Sequence, residues 1–145
     1  MPGAGEKNQN TGRSRGGLSS KIHTLCNKKG NPLRFIFTGG ERNDCTQGEN
    51  LLSGMECKSV IADKGYDTAK ILSKIRGMKA EIVIPSSKTR KQQREYDKEK
   101  YRERNLIERL FNKMKRFRRF ATRYEKLSLA FEGFVYFIGI WLWIK

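Results

Sequence analysis

Four polar side chains between residues 101 and 115 have types and spacings that could hold a metal ion beside a phosphate. Tyr101, Arg104, Glu108 and Lys115 are separated by 3, 4 and 7 residues. At about 100° per residue on an α-helix, all four fall within an arc of roughly 60°. A single carboxylate framed by an aromatic hydroxyl and two cations suits a metal ligand that works on a phosphate backbone.

The same stretch predicts an amphipathic helix whose other face is buried. Its apolar residues recur at helical spacing on the far side: Leu106, Ile107, Leu110, Met114 and Phe117. A routine ion pair between Arg104 and Glu108 would explain part of the pattern and contribute only about 0.2–0.5 kcal/mol. That pair does not require Tyr101 or Lys115 on the same face, so the metal-ligand interpretation is favoured.

Short motifs along most of the chain resemble one known family. The pattern Tyr-x2-Arg-x3-Glu-x6-Lys around Glu108 resembles the region of the last acid in DDE transposases of bacterial insertion sequences. Further blocks resemble the insertion-sequence-five-like branch and follow the family's order: Gly12–Leu18, Lys21–His23, Pro32–Phe35, Thr38–Gly40, Ala62–Asp67, Arg104–Arg109 and Arg118–Tyr124. Several weak motifs in register make a specific signal together.

The resemblance implies a metal site for DNA chemistry. In the family, two aspartates and a glutamate hold two divalent ions, Mg²⁺ or Mn²⁺, which activate water and then a DNA 3′-hydroxyl. Asp63 matches the second acid and Glu108 the third, so both are candidate catalytic and metal-binding residues. The first acid belongs upstream of the Gly12 block, where no aspartate occurs, and Asp44 matches a non-catalytic position.

The missing acid predicts that an upstream transposase segment supplies the first aspartate and that this chain is inactive alone. A second reading frame joined by frameshifting, a truncation and a decayed remnant all remain open. The complete enzyme is expected to self-associate, as the resemblance implies. An alternative function is a non-catalytic basic DNA-binding protein that modulates the full transposase.

The implied fold is α/β with a mixed sheet: a ribonuclease H-like core that lacks its first, central strand and carries C-terminal helices. Residues 1–18 are poor in apolar side chains and predict a disordered, basic, Gly-rich lead-in. Residues 19–145 would form the partial catalytic domain. The expected elements are a hairpin of Lys21–Cys26 and Leu33–Thr38, a helix Thr46–Leu52, a strand Ser59–Ala62, a helix capped by Asp67 and ending near Arg76, a strand Glu81–Ile84, a basic connector Ser86–Glu95, and helices Asp97–Lys115 and Ala121–Trp143.

The charge balance indicates a polyanionic partner. The chain has 31 Lys and Arg against 15 Asp and Glu, a formal net charge of +16, which favours nucleic acid as the partner. With the resemblance, this implies binding to transposon ends and target DNA. The candidate DNA contacts are Lys64, Tyr101, Arg104, Lys115, Arg116 and Arg119. A solvated charged helix face is the plainer alternative for this basic region.

The cysteines and the apolar tail argue against two further kinds of protein, a zinc-binding one and a membrane-spanning one. Three cysteines without a Cys-x-x-Cys pair and a single histidine exclude a zinc site of usual spacing. They suit reduced thiols in a cytoplasmic protein. The segment Gly133–Ile144 is apolar for 12 residues, whereas a bilayer span needs about 20. A helix packed on the sheet is therefore predicted and no membrane partner is expected, with an interfacial anchor as the alternative.

Overall fold

The computed structural model describes residues 12–14, 17–40, 43–117 and 128–145. In chain order the elements are β1 (Gly12–Ser14), β2 (Gly17–Cys26), β3 (Pro32–Gly39), α1 (Gly48–Leu52), β4 (Ser59–Ile61), α2 (Ala69–Gly77), β5 (Glu81–Val83), α3 (Lys98–Tyr101), α4 (Asn105–Met114) and α5 (Ser128–Ile144), with 3-10 turns at Asp44–Gln47, Lys64–Tyr66 and Arg102–Arg104. The predicted combination of helices and strands is confirmed, but the described strands do not form the single mixed sheet that the resemblance implied.

The chain divides into two compact units, each with its own core. The first unit comprises Met1–Arg42 with Leu106–Lys145, and the second unit is Asn43–Asn105. The described strands likewise form two sheets: β1, β2 and β3 are antiparallel, whereas β4 and β5 are parallel.

The hairpin of β2 and β3 confirms the predicted pair of strands. Ile22 lies opposite Phe37 in its register. The connecting turn is fixed by Asn27, whose Oδ1 accepts from the backbone amides of Lys29 at 3.0 Å and Asn31 at 2.9 Å. Gly30 has φ +83°, a left-handed conformation that glycine adopts without steric cost. Local turn chemistry therefore sets the register of the hairpin.

The strands begin earlier than the composition predicts. β1 and the first residues of β2 lie within the segment 1–18 that was expected to be disordered. Ser14 pairs with Gly17 across a two-residue connection. The ladder is made by backbone groups, so polar residues can form it once a neighbouring strand offers partners. Disorder at these strand positions was therefore a wrong expectation.

The core of the first unit joins the hairpin to two helices. Its buried members are Phe35, Leu110, Met114, Phe131, Val135 and Ile138. Gly139 of α5 comes so close to β3 that an added Cβ would lie 3.0 Å from the Phe35 ring. The Trp143 indole N–H donates to the carbonyl oxygen of Pro32 at 2.6 Å. The predicted packing of the apolar tail as a helix on the sheet is confirmed.

The final helix is described over Ser128–Ile144, and the earlier part of the predicted helix, from Ala121, lies outside the described residues. Among the helices that are described, none has the length and apolarity needed to cross a membrane.

The core of the second unit lies between α1, α2 and the β4–β5 pair. Ile71, Leu72 and Ile75 of α2 are buried together with Val83 of β5. Val60 is opposite Ile82 in the parallel register. Because the two strands run in parallel, the loops that follow Ile61 and Val83 leave the same edge of this small sheet.

Asp67 does not cap α2, so that prediction was wrong. The N-cap is Thr68, whose hydroxyl accepts from the Ile71 amide at 3.3 Å. Thr68 has the extended backbone of an N-cap, with φ −120° and ψ 151°. Asp67 is therefore one residue too early, and its carboxylate faces a different partner.

The predicted helical stretch from Asp97 is confirmed, but it is not one continuous α-helix. Asp97 is the N-cap and accepts from the amides of Glu99 and Lys100. Helical structure then runs to Met114, with the 3-10 turn Arg102–Arg104 between α3 and α4. A 3-10 turn advances about 120° per residue, so the uniform spacing used to place Tyr101 and Glu108 on one arc does not hold through it.

Candidate active site

Asp63 lies two residues after the end of β4, beyond Ala62, and caps the 3-10 turn that follows. Its Oδ1 accepts from the Gly65 amide at 2.8 Å, and the residue is half-buried. A Cβ on Gly65 would lie 2.9 Å from the same oxygen, so any side chain there would push the Asp63 carboxylate out of this position. Within the described residues, Oδ2 accepts no hydrogen bond. One carboxylate oxygen is thus held in place while the other is available to a cation.

Glu108 lies in the first turn of α4 and is exposed. The opposite side of the helix is buried through Leu110, at 1 % exposure, and Met114, at 0 %. The apolar stripe predicted for this helix is therefore confirmed. The carboxylate is presented on its solvent side, as a metal ligand or a surface glutamate would be.

Tyr101 and Arg104 contact each other. The Arg104 guanidinium carbon lies 5.8 Å from the centre of the Tyr101 ring, a distance at which cation and ring attract. The Tyr96 ring meets Tyr101 edge-on, with 5.4 Å between ring centroids. These contacts fix the tyrosine ring beside a cation.

The other predicted DNA contacts are surface cations. Lys64 is exposed in the turn after Asp63, and Lys115 and Arg116 are exposed beyond the end of α4. Arg119 lies outside the described residues. Asp63, Lys64, Tyr101 and Arg104 belong to the unit Asn43–Asn105, whereas Glu108, Lys115 and Arg116 belong to the other unit.

The described residues do not make a complete metal site. In the ranges with assigned structure, no group of three or more His, Cys, Asp or Glu side chains is placed to hold an ion. Carboxylate oxygens are the ligands that Mg²⁺ prefers, but the ion requires near-octahedral coordination. The carboxylates of Asp63 and Glu108 are therefore the right type of ligand for the ion, but two of them are too few to coordinate it.

Asp67 is a buried ionised residue that the sequence patterns did not single out for this role. Its side chain has no exposed surface. Its Oδ2 accepts from the Ser87 amide at 2.6 Å and from Arg90 Nε at 2.7 Å, and its Oδ1 accepts from Arg94 Nη2 at 3.0 Å. The only signal in the sequence is the pair of arginines, Arg90 and Arg94, in the basic connector.

The hydrogen bonds to Asp67 decide its charge state. Burial by itself raises the pKa of the Asp67 carboxyl. The amide of Ser87 and the guanidinium groups of Arg90 and Arg94 outweigh that effect and hold the pKa below its ordinary value. The carboxylate is therefore ionised at neutral pH.

Comparison with known proteins gives a consistent result. Residues 1–143 match the family model described as Transposase DDE domain. A Brucella ovis protein assigned as a transposase for insertion sequence element IS6501 is 38% identical over 130 residues, which span 88% of this chain and 100% of that protein. No solved structure matches the chain.

Proposed function

Since the chain belongs to the DDE transposase family of insertion sequences, we propose that it is the C-terminal portion of a transposase catalytic domain with a ribonuclease H-like core. The observation that carries this proposal is Asp63 at the carboxyl end of β4, with one oxygen held by Gly65 and the other available. In α/β sheets this edge is where ligands bind.

Asp63 and Glu108 are the proposed catalytic ligands for two divalent ions, Mg²⁺ or Mn²⁺, in the complete enzyme. A further segment upstream would supply the family's first acid, because no group of three or more His, Cys, Asp or Glu side chains in the described part of the chain is placed to hold an ion. When bound, the ions supply an activated water and then an activated DNA 3′-hydroxyl. Cleavage and transfer of DNA strands would thus require the completed site and, by our proposal, self-association.

Binding to transposon ends and target DNA is the part of the activity that these residues can support themselves. The formal net charge is +16, and Lys64, Lys115 and Arg116 are exposed. Arg104 and Tyr101 add a stacked cation and ring, and Arg119 completes the proposed set. Contacts of this kind neutralise phosphates and give affinity that falls with salt.

A second candidate function is a non-catalytic basic DNA-binding protein that modulates the full transposase. The observation in its favour is the absence of a three-acid group from the described residues. Both functions require DNA binding, so only an assay of strand cleavage separates them.

The test is a fusion that restores a first acid. A family strand with its aspartate is appended upstream of the chain, and Mg²⁺-dependent cleavage of labelled transposon ends is measured. Glu108→Gln should abolish cleavage and leave DNA affinity unchanged. Glu103→Gln, a matched change at an exposed glutamate, should retain cleavage.

Two results would change the assignment. A folded fusion that binds DNA but does not cleave favours the modulator function. Full cleavage by the Glu108→Gln variant removes Glu108 from the proposed site.

A further inference from the structure

Residues 86–94, here called the basic loop, leave the same sheet edge as Asp63. The loop follows β5 through Ile84 and Pro85, and Asp63 follows the neighbouring parallel strand β4. Asp67, which binds the loop, is four residues after Asp63 in the sequence. The loop and the proposed catalytic aspartate are thus parts of one edge of the second unit.

The basic loop has no helix or strand, yet its own hydrogen bonds close it. The Arg94 backbone amide donates to Ser86 Oγ at 2.7 Å, which joins the two ends of the loop. Gln93 Nε2 donates to the carbonyl oxygens of Ser87 and Arg90, at 3.1 and 2.9 Å. These bonds close the loop on itself, as in other compact surface loops whose ends lie close together.

Arginines fasten the closed loop to the body of the unit. Arg94 Nη2 donates to the Ile84 carbonyl oxygen at 2.9 Å as well as to Asp67. Arg90 and Ser87 donate to the other Asp67 oxygen. The Asp67 side chain is fully buried, while those of Arg90 and Arg94 are 38% and 20% exposed. One buried carboxylate therefore orients both arginines.

The basic loop carries an uncompensated positive charge. It contains four cations, Lys88, Arg90, Lys91 and Arg94, and no acid, against the single Asp67 carboxylate. Lys88 and Lys91 are exposed and form no ion pair with any residue that the structure describes. A rigid surface with cations of this kind is complementary to a row of phosphates.

We propose that the basic loop binds the DNA backbone next to Asp63, with Lys88 and Lys91 as phosphate contacts and Asp67 as the residue that positions them. The proposal rests on the transposase function and deepens it by assigning a DNA surface at the catalytic edge. Because contacts to phosphate carry no sequence information, the loop sets the position of the duplex rather than its sequence.

The experiment measures affinity for a fluorescein-labelled DNA duplex by anisotropy over a series of salt concentrations. The double variant Lys88→Gln with Lys91→Gln should make the negative slope of log K against log salt shallower by about 1.8. It should also weaken DNA binding roughly tenfold or more at about 0.1 M salt. The matched control is Lys58→Gln with Lys79→Gln. Both lysines are exposed and precede β4 and β5, at the opposite edge of the same sheet. Equal slopes for the two double variants would overturn the proposal.

The Asp67→Asn variant separates positioning from net charge. Loss of an acid should strengthen DNA binding by a basic protein if only overall charge matters. If Asp67 positions the loop, DNA binding should weaken by several-fold. Backbone amide hydrogen exchange should then accelerate in residues 86–94, while the amides of α2 stay protected from exchange. Glu56→Gln, the same charge change at an exposed site, should not weaken binding. Tighter DNA binding by the Asp67→Asn variant would show that Asp67 does not position the loop. If this variant unfolds, the test of the loop proposal is the comparison of the two double lysine variants.

The same measurements separate failure of the loop proposal from failure of the proposed transposase function. A wild-type chain that does not bind DNA overturns both. A wild-type chain that binds with a steep salt dependence, while the variants at Lys88 and Lys91 match their control, overturns the loop alone.

Discussion

The Gly65 amide donates to Asp63 Oδ1 at 2.8 Å, and a methyl group added to Gly65 would lie 2.9 Å from that same oxygen. The glycine therefore serves the aspartate twice, as a donor and as an open space. This local relationship, rather than a distant partner, fixes the orientation of the proposed metal ligand.

Gly65→Ala should displace the Asp63 carboxylate. We expect cleavage by the restored fusion to fall by roughly tenfold to a hundredfold, because small errors in the position of a reacting group are costly. The measurement is single-turnover cleavage of labelled ends. Gly77→Ala is the control, since a Cβ added there would have no atom within 4 Å other than those of its chain neighbours and its own helix backbone. Cleavage unchanged by Gly65→Ala would show that this oxygen need not be held.

Asp67→Asn should destabilise the second unit in a pH-dependent manner. The Asp67 pKa is lowered in the folded state, so its contribution is fully present above the unfolded value of about 3.9 and is lost as pH falls through the lowered folded value. At pH 7 we expect a cost of about 2 kcal/mol in the free energy of unfolding. Urea titrations should show this difference constant down to about pH 4 and narrowing below it.

Asp97→Asn provides the comparison for that titration. Asp97 caps α3 through the amides of Glu99 and Lys100, and asparagine caps helices nearly as well, so the cost should be a few tenths of a kcal/mol, roughly. If the Asp67→Asn difference were as large at pH 3 as at pH 7, its ionised form would not be the stabilising one.

Ile138→Ala should destabilise the first unit by about 2–5 kcal/mol, because it opens a cavity in a fully buried position. The effect is measured as the shift in a denaturant midpoint. Ile140→Ala in the same helix is the control: Ile140 is 60% exposed, and its truncation should change stability by less than about 0.5 kcal/mol. Similar shifts for both variants would mean that α5 is not seated on β3 as described.

Divalent ions should stabilise the restored fusion through Asp63 and Glu108. Ions that bind only the folded state raise the melting temperature with concentration, which a thermal shift with Mg²⁺ or Mn²⁺ detects without an activity assay. Asp63→Asn should remove most of that shift, and Asp97→Asn should keep it. A full shift in the Asp63→Asn variant would contradict the ligand assignment.

Periodicity and turn chemistry predicted the parts of the fold that local sequence determines. The hairpin around Gly30 and the buried stripe of α4 are such cases. The role of Asp63 rested on the resemblance, since a capping aspartate and a metal ligand share the same local pattern. In the structure the residue does cap its turn, and its metal role remains a proposal.

The parts that sequence reasoning missed depend on contacts between distant residues. Asp67 binds Ser87, Arg90 and Arg94, which are 20 to 27 residues away, and no local pattern reveals such a partner. The 3-10 turn Arg102–Arg104 was missed because three residues are too few for a period of about 3.0 residues per turn to be distinguished from one of about 3.6.

The short segment from Asp63 to Thr68 has a mechanical consequence. Its first residue holds its own turn, its fifth holds the basic loop, and its last starts α2 through the Ile71 amide. With three attachments in six residues, little backbone is left to absorb strain. A force that DNA exerts on the loop should therefore be transmitted to Asp63 and α2 together, so that the residues at this edge of the sheet move as one rigid body.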